Sequence, residues 1–479
     1  MSKKQGTLSY RRPPIVTVMG HIDHGKTTLL DAIRQTQVQK AETGGITQHI
    51  GAYEVQVSRS SSTKSITFID TPGHAAFAKM RARGASLTDL VVLVVAVNDG
   101  IMAQTKECLD HINQAKVPFI VALNKMDLPG INPDKAKGQL TELGYTPEDY
   151  GGQLVLVPIS ASKSEGIDKL LDQILLHTDM LDLEADPQAP LQATIIESRL
   201  DRQKGPVAAL VVTQGTLSLS QKVYLDQEAQ PVRRLFDWRG QPLLKVLPGQ
   251  PAEILGLKTP PSVGSILLDR PRPTPLNLDQ APAPSPEQIA EKKLSILLKA
   301  DTEGTLEALK NNLPSDINLI LAGVGPVTET DIFLAQPTQA QIFAFNVLVP
   351  SSSVKTAERE KVKIFSSKII YEILEELESQ ILKILEPTID EDVHGEGQII
   401  AEFKIKKDRI AGIRCLKGEI VKDSPVHLQR DGKIIKNTRV GSFRRGKDET
   451  EKIVSGQEAG LVFKPYVDFK VGDLVISHD

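Results

Sequence analysis

The chain has 479 residues, several times the length of an ordinary domain, so three or four domains are expected. Hydrophobic residues make up 40% and charged residues 24%, with a formal net charge of −3. These values exclude a disordered polyelectrolyte, and any nucleic-acid contact must come from local basic patches. The two cysteines, Cys108 and Cys415, lie far apart, which argues against a disulfide framework or a cysteine-type zinc site and for a reducing, cytoplasmic location.

Residues 1–13 include Lys3, Lys4, Arg11 and Arg12 but no apolar run, so a flexible tail rather than a secretory signal is expected. The longest apolar run, Leu90 to Val97, is too short to span a bilayer, and no membrane partner is expected. Over residues 14–183, short runs rich in Val and Ile alternate with helical patterns. Strands are expected at Ile15–Met19, Ile66–Ile69, Leu90–Val97, Val117–Leu123 and Leu154–Ile159. Such alternation predicts an α/β sheet whose ligand lies outside the carboxyl ends of the strands.

The loops after these strands carry the chemistry. Gly20-His21-Ile22-Asp23-His24-Gly25-Lys26-Thr27 matches a P-loop placed between a strand and a helix. Its glycines allow backbone N–H groups to turn inward around phosphates, with the helix N-terminus adding its positive end. Lys26 is expected at the β- and γ-phosphates, Thr27 on Mg²⁺, and Thr28 beside them. Asp70, at the next strand end, is placed to hold Mg²⁺ through a water, and the Gly73 N–H to meet the γ-phosphate. A turn or cap role is the alternative for Asp70.

Asn124-Lys125-Met126-Asp127 supplies a carboxylate, Asp127, that can accept from the N1–H and amino group of guanine. Asn124 and Lys125 are expected to hold the base and the loop. In Ser160-Ala161-Ser162 the Ala161 N–H can reach guanine O6. Four such elements in order, each after a strand, imply a P-loop GTPase domain binding GTP or GDP with Mg²⁺. His74 is the candidate for orienting the attacking water; its alternative is a histidine capping the following helix. No arginine finger can be picked out, so a partner is expected to stimulate hydrolysis.

Residues 187–269 read as a β-barrel of short strands separated by Lys204-Gly205-Pro206, Gly215, Gly240, Pro248-Gly249 and Gly264. Residues 270–288 form a proline-rich, extended linker. A small α/β domain is expected over 289–366. A long helix follows over 367–386, with Ile369, Ile370, Ile373, Leu374, Leu377, Ile381, Ile384 and Leu385 at helical spacing. That helix can pack on its own domain or stand free as a connector; the pattern does not choose. Residues 391–479 read as a second β-barrel. There, Gln429 to Lys447 holds seven Lys or Arg and one acid, Asp431. This is either a phosphate-attracting patch or a solvated basic hairpin.

Thr43-Gly44-Gly45-Ile46-Thr47-Gln48-His49-Ile50-Gly51 resembles the first switch of bacterial translation initiation factor two, within the translational GTPase superfamily. So do Gly73-His74-Ala75-Ala76-Phe77 and Met80-Arg81-Ala82-Arg83-Gly84, and similar stretches continue along the chain beyond its N-terminal tail. The resemblance is to a short form lacking the extended N-terminal region. It implies a G domain, a β-barrel, a small α/β domain, a long connecting helix and a C-terminal barrel. It also implies that Thr47 ligates Mg²⁺ in the GTP state, ordering the switch.

The implied partners of this monomer are initiator formylmethionyl-tRNA and the small and large ribosomal subunits, with the last barrel gripping the aminoacyl end. The matching positions there are Arg444, Arg445, Lys447, Glu458, Gly460, Lys464 and Tyr466. Ala459 stands where the family usually has Cys, and Gly446 where it usually has an aromatic residue. The alternatives are another tRNA-delivering or ribosome-associated translational GTPase, and a nucleotide-gated binding module without initiator-tRNA recognition.

Overall fold

The computed structural model describes residues 10–34, 50–59, 62–73, 77–271, 293–385, 393–405, 408–430, 433–445, 448–465 and 467–478. The chain divides into two compact units, Met1–Ile381 and Leu382–Asp479. No helix among the described residues is long and apolar enough to cross a membrane.

The first unit starts with a six-stranded sheet in the order Gly51–Arg59, Ser62–Asp70, Ile15–Gly20, Leu90–Ala96, Phe119–Asn124, Leu156–Pro158. All neighbours are parallel except the first pair. Every residue of Ile15–Gly20 and Leu90–Ala96 is buried, because helices cover both faces; hence these strands read as unbroken apolar runs. Helices α1 (Lys26–Arg34) and α5 (Ile167–Asp179) cover one face, packing Leu29, Leu30, Ile33, Leu170 and Ile174 into one core. Helices α3 (Ala103–Ala115) and α4 (Pro133–Glu142) cover the other with Leu109, Ile112 and Leu140. Helix α2 (Ala78–Leu87) follows the Asp70 loop.

Two expectations need correction. The strand Gly51–Arg59, antiparallel to Ser62–Asp70, was not foreseen. It alternates buried Tyr53 and Val57 with Glu54 and Gln56, the signature of an edge strand covered on one face. The flexible tail expected over 1–13 does not extend through its last four residues. Tyr10–Arg11 pairs with Glu184–Ala185. Arg12 makes a bidentate pair with Asp89 at 2.7 and 2.6 Å, and Asp89 also accepts from the Ile15 N–H. Residues 1–9, and 272–288 of the proposed linker, lie outside the described residues.

Next comes an antiparallel eight-stranded sheet that runs from Glu228–Pro231 through the long hairpin Gln192–Asp201/Gly205–Gln214 to Pro242–Leu243. It curls around one core that includes Leu191, Ile195, Leu210, Val223, Leu235, Ile254 and Leu267. This barrel meets the first domain where the Thr67 hydroxyl donates to Gly249 O at 2.6 Å and Trp238 lies edge-on to Tyr53.

The α/β region has a parallel four-stranded sheet, ordered Ile317–Val324, Leu294–Ala300, Gln341–Phe345, Ile364–Ser367. Its helices are α6 (Glu303–Asn311), α7 (Glu329–Ala335), α8 (Ser351–Glu360) and α9 (Ile370–Leu385). Thr302 and Thr328 start α6 and α7 with capping boxes. Helix α9 begins at Ile370, three residues inside the expected span 367–386, because Ser367 still belongs to a strand. Ile370, Ile373, Leu377 and Ile381 form its buried face, so this stretch packs rather than stands free.

The second unit is a closed six-stranded barrel. Its strands follow the cycle Gly395–Ile405, Leu474–Ser477, Pro425–Arg430, Lys433–Arg445, Glu458–Phe463, Asp408–Val421, and the last pairs back to the first. Ile399, Ile413, Leu428, Val440, Phe443, Leu461 and Val475 fill it. The basic stretch from Gln429 is therefore largely a strand of the barrel wall.

Candidate nucleotide site

The P-loop leaves the sheet at Gly20, where φ is 145° and a Cβ would lie 2.3 Å from Val94 O. At Gly25, φ is 85° and a Cβ would meet Asn124 Nδ2 at 2.4 Å. Only glycine fits either place. Lys26 is buried, and its Nζ donates to His21 O at 2.6 Å. Burial pushes its pKa down to about 8, with Asp70 opposing the shift. A Cβ on Gly73 would lie 2.3 Å from that Nζ, so the strand-end loop comes directly against the lysine. A buried cation beside glycine backbone is a site built to receive an anion.

Asp70 is 4% exposed, and Arg34 Nη2 lies 3.7 Å from its carboxylate. The Arg34 guanidinium also sits 3.7 Å over the Tyr53 ring. The loop after Asp70 is fixed by the Thr71 hydroxyl, which donates to Val18 O at 2.9 Å. Fully buried Arg81 donates to Pro72 O at 3.2 Å and pairs with Glu107. Thr27 and Asp70, both buried at the cradle, are oxygen donors of the kind Mg²⁺ takes, so these residues fit that ion. Thr47 and His74 lie outside the described residues.

The base-side loop is tied to the P-loop. Asn124 Nδ2 donates to His24 O at 2.8 Å, and Asn124 Oδ1 accepts from the Ala161 N–H at 3.0 Å. The Ala161 N–H thus serves the loop here instead of pointing at a base oxygen. Lys125, at φ 65°, lies 3.7 Å from Asp99. Asp127 accepts from Ser160 Oγ at 2.7 Å and from Ser162 Oγ at 3.3 Å. The Ser160 bond is the main reason its pKa is lowered, and Asp127 stays an acceptor at neutral pH.

These loops enclose a cavity of about 320 Å³ lined by Asp23, Gly25, Lys26, Thr27, Thr28, Gly73, Asn124, Lys125, Asp127, Ala161 and Ser162. Gly20, His21, His24 and Ser160 are not among its lining residues; they shape it from behind. His24 is fully buried with Nδ1 3.3 Å from Val94 O, and burial lowers its pKa to about 4. The His21 and His24 rings pack edge to face. Among the described residues, no group of three or more His, Cys, Asp or Glu side chains converges to hold a metal. The cavity is also lined by Ile22, Phe77, Leu128, Ile370 and Tyr371, which motif reading did not find. Leu128 and Ile22 sit inside or beside the motifs and could have been included. Ile370 and Tyr371 belong to a distant segment with no local signal.

In the C-terminal barrel, neighbouring strands pair Arg444 with Gly460 and Arg414 with Glu458. Glu458 forms a 2.5 Å ion pair with Arg414, a partner that sequence reading missed. Arg444 and Lys464 are exposed, but Lys464 follows the strand at its opposite end, facing Arg439 O. Lys447, Tyr466 and the Arg445 side chain lie outside the described residues.

Three families match successive parts of the chain. They are the elongation factor Tu GTP binding domain over residues 11–180, elongation factor G domain 2 over 190–270, and translation-initiation factor 2 over 278–378. Translation initiation factor IF-2 of Carboxydothermus hydrogenoformans is 43% identical over 97% of this chain and 59% of its own length. That of Clostridium tetani is 39% identical over 99% of this chain and 73% of its own length. The chain thus spans less than two thirds of the first relative and nearly three quarters of the second. Among solved structures, GDP-bound aIF5B from Aeropyrum pernix is 26% identical over 98% of this chain and 92% of that one, with a TM-score of 0.47. With 39% identity to the Clostridium tetani factor along nearly all its residues, and a GTP-binding domain over residues 11–180, the chain belongs to the translation initiation factor IF-2 family.

Proposed function

We propose that the chain is a GTPase of translation initiation. In this reading it binds initiator formylmethionyl-tRNA, places it on the small ribosomal subunit, promotes joining of the large one, and hydrolyses GTP for release. The carrying observation is the convergence of the P-loop, the Gly73 loop, the Asn124–Asp127 loop and the Ala161 loop on one cavity. Lys26 and the P-loop N–H groups bind phosphates, Thr27, Thr47 and Asp70 (through a water) hold Mg²⁺, and Asp127 reads guanine. Mg²⁺ supplies charge neutralisation at the phosphates; His74 orients the attacking water.

At the other end of the chain, Arg444, Arg445, Lys447, Glu458, Gly460, Lys464 and Tyr466 serve the tRNA, with the barrel strands holding Arg444, Glu458 and Gly460 near one another. The domain limits follow the same plan: G domain 14–183, barrel 187–269, linker 270–288, α/β domain 289–366, helix 367–386 and barrel 391–479. The protein works in the cytoplasm, as a monomer. His74→Ala is expected to keep GTP binding and lose ribosome-stimulated hydrolysis; stimulated turnover near the original rate contradicts the assignment. The full chain should retain formylmethionyl-tRNA over its unformylated form in filter binding, and equal retention contradicts initiator recognition.

A further inference from the structure

The nucleotide cavity has one wall that none of its motif loops supplies. Ile370 and Tyr371, the first two residues of α9, line the same cavity as Asp23, Lys26, Asn124 and Asp127. They come from the α/β region, whose own sheet and helices hold them in place. The Asn346 N–H donates to Ser367 O at 2.8 Å, fixing the strand end before the helix. Ser367 Oγ then accepts from the Ile369 N–H at 3.0 Å and donates to Glu372. This local box sets where the first turn of α9 begins. Ile370, Ile373 and Leu377, all fully buried, anchor the turn along its length.

The α/β region is also bound to the helix that follows the Asp70 loop. Arg83 of α2 pairs with Glu307 of α6 at 3.0 Å, and Lys79 donates to Asn311 Oδ1 at 2.7 Å. The Gly304 N–H donates to Glu197 of the barrel at 3.1 Å. Tyr371 is therefore presented to the cavity by a braced scaffold.

We propose that Tyr371, set in place by the buried Ile370 beside it, is a nucleotide-positioning residue: its ring forms an apolar wall against a bound guanine nucleotide, which is then held jointly by the P-loop domain and the α/β region. This rests on the reading that the cavity binds guanine nucleotide. A nucleotide presents a flat base and a ribose whose faces are largely apolar, and binding pockets meet such groups with aromatic and aliphatic walls around a few placed polar atoms. The polar atoms come from Asp127, Lys125 and the P-loop; the described apolar lining comes from Ile22, Phe77, Leu128, Ile370 and Tyr371. Because binding linkage is reciprocal, bound nucleotide must also favour the docked position of the first turn of α9.

The test is dissociation of ribose-labelled fluorescent GDP from the full chain, chased with unlabelled GDP. Tyr371→Ala should release it about tenfold faster, a change of about 1.4 kcal/mol. Tyr371→Phe should restore slow release, because the ring makes the contact. GDP should slow amide hydrogen exchange at Ile370–Leu374 in the wild type. Tyr371→Ala release within twofold of wild type, or no protection of α9, overturns the proposal. Should Tyr371→Ala fold poorly, Tyr371→Ser, which also removes the apolar wall, gives the same reading. If the wild type itself binds no GDP, the nucleotide reading fails and takes this one with it; wild-type binding with unchanged Tyr371→Ala release overturns this one alone.

Discussion

Lys26 is a cation stored in a place that disfavours it. Burial brings its pKa to about 8, whereas an unfolded lysine titrates near 10.5, so between these values the unfolded chain holds the extra proton. Free-protein stability from this group therefore rises as pH climbs from about 8 towards 10.5. Phosphate oxygens reverse the balance by favouring the charged form. GDP binding at pH 8.5 is thus expected to take up a proton, seen as a binding heat that depends on the ionisation enthalpy of the buffer; heats independent of buffer contradict it. His24 acts in the same sense on the acid side. Its folded pKa, about 4 against 6.5 unfolded, confers stability that is complete above about 6.5 and is lost as pH falls towards 4. The full loss is on the order of 3 kcal/mol, of which roughly 2 kcal/mol falls between pH 7 and 5, measurable by urea titration at those two values beside a His24→Gln variant. Gly25→Ala should abolish nucleotide binding, since the new methyl lands on Asn124. These residues were legible in the sequence because a P-loop is local. The Arg34–Asp70 approach and the burial of His24 were not, since both depend on strands and helices far apart in the chain.

Among elements, legibility followed burial. Strands covered on both faces, such as Leu90–Ala96, declare themselves as apolar runs, while Gly51–Arg59 hides at a sheet edge behind Glu54 and Gln56. Helix α9 was visible from its spacing, but its docking was not, because nothing in the order of residues says that Tyr371 meets Asp127 across one cavity. The joints between elements rest on a few buried polar groups. Glu197 accepts from the Ser198 and Gly304 N–H groups; Glu197→Ala leaves both without it and should cost about 2–3 kcal/mol of stability. Glu197→Gln, which keeps an acceptor, should lose less, and equal losses contradict the hydrogen-bonding account. Thr302→Ala removes the cap of α6 and should cost about 1 kcal/mol, read from the same denaturation curves.

For the whole molecule, the division into Met1–Ile381 and Leu382–Asp479 predicts two calorimetric transitions. A ligand at 100 times its Kd stabilises what it binds by about 2.7 kcal/mol. GDP should therefore raise the transition of the first unit and leave that of the C-terminal barrel in place. A common shift of both transitions contradicts independent units. The order of domains was readable from changes in strand and turn density, but closure of the last barrel was not, since it depends on Gly395–Ile405 pairing with both Leu474–Ser477 and Asp408–Val421. The central claim, that the cavity binds guanine nucleotide through Asp127, is tested most directly by nucleotide competition on the full chain carrying Asp127→Asn. The account predicts a shift of preference from guanine to xanthine nucleotides with folding unchanged; retained guanine preference would contradict it.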